Sequence, residues 1–233
     1  MIDISFDVRS DTPPGKDPDK FSSTLREYHR RLWSKPLPDG ASFELKISKA
    51  KGYLFHQSSI GEFYLSSDSM MPSYLNIKRM AAVLEQVPKS LPKEVQSQAY
   101  RIGGFIVFPG NRIDNKMTIN GARGCNRKIG DRFDLTLECI RRHYAQQESP
   151  LSEVLQRYGY FFEIFRSFRD YTEFFHLQDL VSQDASEVKF LLAFDNFQRT
   201  PFPVSGDEYR AYAERTMGFL KARGARMKAA VNN

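Results

Sequence analysis

The sequence predicts an α+β protein: a mixed or mostly antiparallel sheet of about five or more strands packed against helices, with one long aromatic-rich helical region. Three observations carry that expectation. Short alternating or continuously apolar runs, bounded by Gly, Pro and Asp, stand at residues 3–8, 43–47, 52–56, 62–66, 100–108 and 188–194. Apolar stripes at helical spacing interrupt them without the regular strand-helix alternation of a doubly wound sheet, which is the alternative architecture. The 19 Phe and 11 Tyr against one Trp imply a ring-rich core.

Residues 3–8, DISFDV, alternate enough for a short strand. Residues 10–20 then read as an irregular arm with Pro13 and Pro14 adjacent, either flexible or a cover over a site. Ser22 or Ser23 can cap a helix through Leu25, Tyr28, His29, Leu32 and Trp33, a stripe that makes Trp33 a core anchor. Three short strands follow at 43–47, 52–56 and 62–66, the last two pairing across QSSIG at 57–61. Residues 77–87 have the spacing of a short helix that stops at Pro88. Pro88 and Pro92 with Lys89 and Lys93 resemble a linker, so a boundary at 88–93 is the alternative to a single domain over 1–233.

Residues 100–108 are the best candidate for a central strand, because apolar side chains continue on both faces. Residues 117–120 returning beside it would make a hairpin, and Gly103 and Gly104 ask for a bulge or a ligand passing close. Asp131 or Asp134 can cap a helix with the stripe Phe133, Leu137, Ile140 and Tyr144. Ser149, Pro150 and Glu153 then start a helix, or two broken near Gly159, that carries Phe161, Phe162, Phe165, Phe168, Phe174 and Phe175 toward Val181. Residues 188–194 read as a second apolar strand, and residues 207–222 as the last helix, which runs into KARGARMK at 221–228.

A charge of +6 and a pI near 9.2 favour acidic partners over basic ones. Cys125 and Cys139 lie at no zinc-site spacing, and His29, His56, His143 and His176 fall in separate elements, so neither a metal nor a cofactor is expected. Glu138 and His143 also miss the spacing that places two ligands on one helical face. Asp3 and Asp7 interrupt the opening apolar residues, which points to the cytoplasm over secretion. No apolar run approaches the roughly 18 residues that a bilayer span needs, so no membrane is expected.

The candidate site is the segment 111–132, NRIDNKMTINGARGCNRKIGDR. It sets Arg112, Lys116, Arg123, Arg127, Lys128 and Arg132 against only Asp114 and Asp131, a field that attracts anions. In GARG at 121–124 the glycines let backbone amides approach an oxyanion, and Arg123 could grip it bidentately. Asn111, Arg112, Asn120, Asn126 and Arg127 complete the expected binding set. The block lacks the glycine order of a nucleoside triphosphate loop or a dinucleotide fingerprint, and a tight turn with arginines in solvent would read the same way.

Catalysis would need an acid or base beside those arginines. His56, at a strand end near Gln57, Ser58 and Ser59, is the first candidate and Glu62 the second, with Asp68 and Glu138 behind them. Cys125, flanked by Gly124, Asn126, Arg127 and Lys128, is either a nucleophile or an incidental thiol.

The runs TINGARGCNRKIGDRFDLTLECIRRHY at 118–144 and SPLSEVLQRYGYFFEIF at 149–165, with FDVRSD at 6–11, resemble those of a family of uncharacterised bacterial proteins of similar length. The resemblance covers most of the chain and implies a bacterial cytoplasmic setting. That family carries no assigned reaction, so no catalytic role passes to any residue here.

Three function classes remain. The leading one is a protein that binds a phosphate-bearing small molecule or nucleotide between the 109–132 segment and the sheet edge, with an enzyme acting on that ligand as its extension. An RNA- or DNA-binding regulatory or growth-inhibiting module would instead need a continuous basic stripe that includes the terminal KARGARMK. A structural or oligomerising protein would show a flat apolar patch. If Arg123 clasps the anion, Arg123→Ala weakens binding by more than about tenfold and leaves stability nearly unchanged.

Overall fold

The computed structural model describes residues 1–47, 54–58 and 61–232. The chain does not open with a strand. Asp3 accepts hydrogen bonds from the backbone and hydroxyl of Ser5, and Asp7 caps a 3-10 turn at Val8–Asp11, so local side-chain bonds displace an extended ladder. The arm that follows is tied down at its end. Asp17 caps α1 (Pro18–Phe21) with Pro18 in the first turn, and Asp19 accepts from the Ser67 backbone and hydroxyl, each at 2.9 Å. Ser22 caps α2 (Ser23–Trp33), which buries Leu25, His29, Leu32 and Trp33 on one face.

Strand β1 (Lys35–Pro36) pairs with β2 (Ser42–Phe43) across the expected break. Strands β3 (Lys46–Ile47), β4 (Leu54–Ser58), β5 (Gly61–Ser69) and β6 (Phe105–Pro109) form a four-stranded sheet in that order, antiparallel throughout. The expected β4–β5 pairing is present, with His56 opposite Phe63 and Gln57 opposite Glu62. Gly52 and Tyr53, expected in β4, and the centre of the QSSIG turn lie outside the described residues. β5 buries Phe63, Leu65 and Ser67 on alternate positions, the pattern of a sheet with one face on the core.

Between β5 and β6 the chain is helical. A 3-10 turn at Lys78–Met80 leads into α3 (Ala81–Leu84), and the segment that reads as a linker is the start of α4 (Ser90–Ala99), with Pro92 buried. β6 is completely buried, as expected, but begins only at Phe105, after a 3-10 turn at Ile102–Gly104. What passes close to the two glycines is protein. A Cβ on Gly103 would lie 2.6 Å from the Leu220 carbonyl oxygen of the last helix, and one on Gly104 would strike that of Ala99.

The hairpin expected after β6 does not form. Asp114 and Asn115, both with positive φ, turn the chain, and Thr118 caps a helix, α5 (Ile119–Cys125), where the returning strand was expected. Helix α6 (Phe133–Tyr144) follows, capped by no side chain. The long aromatic region divides into α7 (Ser152–Arg157), α8 (Gly159–Glu163) and α9 (Phe168–Phe174), with Arg166 left-handed and Ser167 capping the third. Phe161, Phe162, Phe165, Tyr171, Phe174 and Phe175 meet edge-to-face or tilted at centroid distances near 5 Å, a buried aromatic cluster spanning these helices and reaching Trp33.

Residues 188–194 make no ladder beyond a single bridge from Val188 to Val181. The segment's amides bond individually: Lys189 N–H donates to the Leu180 carbonyl at 2.8 Å, beside that bridge, and Leu191 N–H to the Asp134 carboxylate at 2.9 Å. The chain closes with α10 (Gly206–Asn232), longer than its expected span, packed along α4 and the glycine turn.

Candidate functional site

Folding splits the basic segment between the interior and the surface. Arg123, on α5, is completely buried. Its Nη1 faces Asp68 at 3.1 Å and Asp131 at 3.2 Å and donates to the Ser69 carbonyl; Nη2 donates to the carbonyls of Met70 and Asp131; Nε reaches the Thr136 hydroxyl at 3.4 Å. Five donors are thereby committed. Burial raises the carboxyl pKa values of both Asp68 and Asp131, against the pull of the Arg123 charge. The residue expected to clasp an anion instead pins α5 to the end of β5 and to the turn before α6.

Arg132 is likewise buried. It forms a two-pronged pair with Asp134 and donates to the Pro201 carbonyl, while Asp134 takes the Leu191 amide as well. Lys116 stays at the surface but shares the Glu153 carboxylate with Arg157, at 3.0 and 2.9 Å.

Arg112 has a different fate. It is exposed just past the end of β6, and among the described residues it has no ion-pair partner. With Asn111 and Gly110 it lines a cleft of about 590 Å³ whose other wall is Asp17, Asp19 and Lys20 of the arm, over Tyr64, Leu65 and Ser66 of β5. Asn111 is held by its carbonyl, which accepts from the Tyr158 hydroxyl at 2.5 Å. The Gly110 amide donates to the Tyr64 carbonyl at 2.7 Å, and a Cβ there would meet that of Ser66 at 2.9 Å, so the chain lies flush with β5 at the cleft floor. Asn120 sits behind the floor, its amide donating to the Ser66 carbonyl and hydroxyl.

Asp19 is the buried charge of the cleft, only 6% exposed. Burial raises its carboxyl to about 6, opposed by the two hydrogen bonds from Ser67. Both of those bonds end on Oδ1. Oδ2 has no hydrogen-bond donor among the described residues, so it is the oxygen left for the cleft.

The remaining expected residues stand apart from this place. His56 is buried, stacked on Phe43 at 4.3 Å with Phe63 beyond it, and its Nδ1–H donates to the Glu44 carbonyl at 2.9 Å. Glu62 is exposed and accepts from Gln57. Neither lines the cleft. Asn126 bonds to the Pro150 carbonyl and the Lys128 amide and, with the exposed Cys125, lines a second cleft of about 530 Å³. Arg127 is exposed, away from both clefts.

Sequence reading misses Asp17, Asp19, Lys20, Tyr64 and Ser66 as cleft residues. The available signal is DPDK at 17–20, where an aspartate before a proline caps a helical turn and so fixes the direction of the next acid and lysine. The end of the arm lines the cleft through Asp17, Asp19 and Lys20. Among the described residues no cluster of His, Cys, Asp and Glu could hold a metal ion, and no helix is long and apolar enough to cross a membrane.

Residues 2–227 match the model of a family of unknown function, DUF6994. The chain belongs to that family. No curated protein and no solved structure matches it. The family extends over both walls of the cleft and transfers no reaction to them.

Proposed function

We propose that the protein binds a small phosphate-bearing ligand in the cleft between the arm and the end of β6, with Arg112 and Lys20 as partners of the anion. One observation carries the reading: two cations without ion pairs among the described residues flank a concavity of ligand size, about 590 Å³. Elsewhere in the basic segment, Arg123 and Arg132 are buried in pairs and Lys116 is neutralised by Glu153. The cytoplasm, where phosphorylated metabolites are abundant, is the setting that fits.

A nucleic-acid stripe draws less support. In the terminal basic run, Arg223 is fully buried, donating to the carbonyls of Gly103, Phe105 and Phe175, and Arg226 pairs with Asp179. Those two charges are unavailable to a phosphate backbone. Titration calorimetry with inorganic phosphate tests the reading. Saturable binding should weaken by about tenfold in Arg112→Ala, the loss of one charge-assisted contact, with the thermal midpoint unchanged. Equal affinity in the two proteins would remove Arg112 from the site.

A further inference from the structure

The cleft is not uniformly basic. Two carboxyl groups, Asp17 and Asp19, face the same space as Lys20 and Arg112. A bare anion would gain from the cations and be repelled by the acids, so phosphate alone complements only part of this lining. A ligand that carries hydrogen-bond donors beside its phosphate does.

Resting on the phosphate reading above, we propose that the cleft selects a phosphorylated polyol or sugar, whose hydroxyl donates to Asp19 Oδ2 while its phosphate lies between Arg112 and Lys20. Asp19 is prepared for this role. Ser67 donates its amide and hydroxyl to Oδ1 alone, which fixes the carboxyl plane and leaves the other oxygen at the cleft wall. The anchor is rigid, because Ser67 lies within β5, where it pairs with Val107 of β6. A buried acceptor with its orientation fixed discriminates strongly between ligands that can donate to it and ligands that cannot.

A ligand ammonium is the competing donor. It would enter a space already holding Lys20 and Arg112, and that repulsion favours the neutral hydroxyl. Asn111, which lines the cleft beside Arg112, carries an amide that can serve a second hydroxyl.

The test compares inorganic phosphate, ribose 5-phosphate and phosphoethanolamine by titration calorimetry on the full chain, on Asp19→Asn and on Arg112→Ala. Asparagine retains an Oδ1 that accepts both Ser67 bonds and places an NH₂ where Oδ2 stood, so the fold should persist. The unaltered protein should bind ribose 5-phosphate about tenfold or more tightly than either other probe. Asp19→Asn should cut that preference severalfold while binding inorganic phosphate at least as tightly, because it removes a carboxylate that the anion faces, and Arg112→Ala should weaken all three. Phosphate binding without a preference for the sugar, a preference for phosphoethanolamine, or a preference that survives undiminished in Asp19→Asn would each overturn the inference and leave the phosphate reading standing. Binding of none of the probes would overturn both. If Asp19→Asn does not fold, the probe ranking on the unaltered protein decides by itself.

Discussion

Arg112 and Arg123 belong to one basic segment, yet one lies at the mouth of a cleft and the other in the core. Arg123 is enclosed because β5 ends beside α5 and offers the Ser69 and Met70 carbonyls with the Asp68 carboxylate, an acceptor set that matches a guanidinium fork. Arg112 follows Pro109 and Gly110 at the end of a buried strand, where the chain emerges into solvent and meets the arm. A local excess of positive charge therefore does not distinguish a ligand site from a buried structural fork. The acceptors contributed by distant segments decide it.

The largest expected effect falls on the buried member. Arg123→Ala strands three carbonyls and two carboxylates and should destabilise the fold by roughly 3–5 kcal/mol. Thermal denaturation should show a midpoint roughly 10 °C lower, and a native midpoint would dissolve the contrast between the two arginines. Phe165→Ala sharpens the scale, since it empties a completely buried position among Phe161, Tyr171, Phe174 and Phe175. Its loss should be of similar size, roughly 3–5 kcal/mol, so a polar fork and an aromatic ring would prove comparable structural elements.

Next comes a pH effect at the cleft wall. The folded Asp19 carboxyl titrates near 6, above its unfolded value, so the native state holds the extra proton between about pH 4 and pH 6. Its contribution to stability is fully present below that window and is lost as pH rises through it, by an amount on the order of 3 kcal/mol. Urea denaturation across this range should show a flatter profile in Asp19→Asn, and an unchanged slope would place the proton elsewhere. Smallest is Arg112→Ala, expected to leave the midpoint within about 1 °C and to cost about 1.4 kcal/mol of phosphate affinity.

Helix α2 is legible in the sequence because its determinants are local: Ser22 caps it and Leu25, His29, Leu32 and Trp33 recur at helical spacing. The β4–β5 pairing is legible for the same reason. Residues 188–194 mislead because apolar composition reports burial, while strand formation requires a neighbouring backbone that Asp134 replaces here. Helix α5 hides behind Gly121 and Gly124, which lower helix propensity, and only the Thr118 cap signals it.

The candidate site is less legible than the fold. Arg112 and Asn111 stand out by composition, but their partners Asp19 and Lys20 come from an arm far away in sequence. His56 looks catalytic at a strand end, and only the approach of the Phe43 ring shows it to be core. The alternation of β5 buries Ser67, which then sets the direction of Asp19; neither residue signals this alone.

The most direct measurement is a paired one: phosphate titration and thermal denaturation of Arg112→Ala and Arg123→Ala beside the unaltered protein. Arg112→Ala should lose about tenfold in affinity with its midpoint intact, and Arg123→Ala should melt at a clearly lower temperature. An Arg123→Ala protein that melts normally but no longer binds phosphate, beside an Arg112→Ala protein that binds it unchanged, would contradict the account.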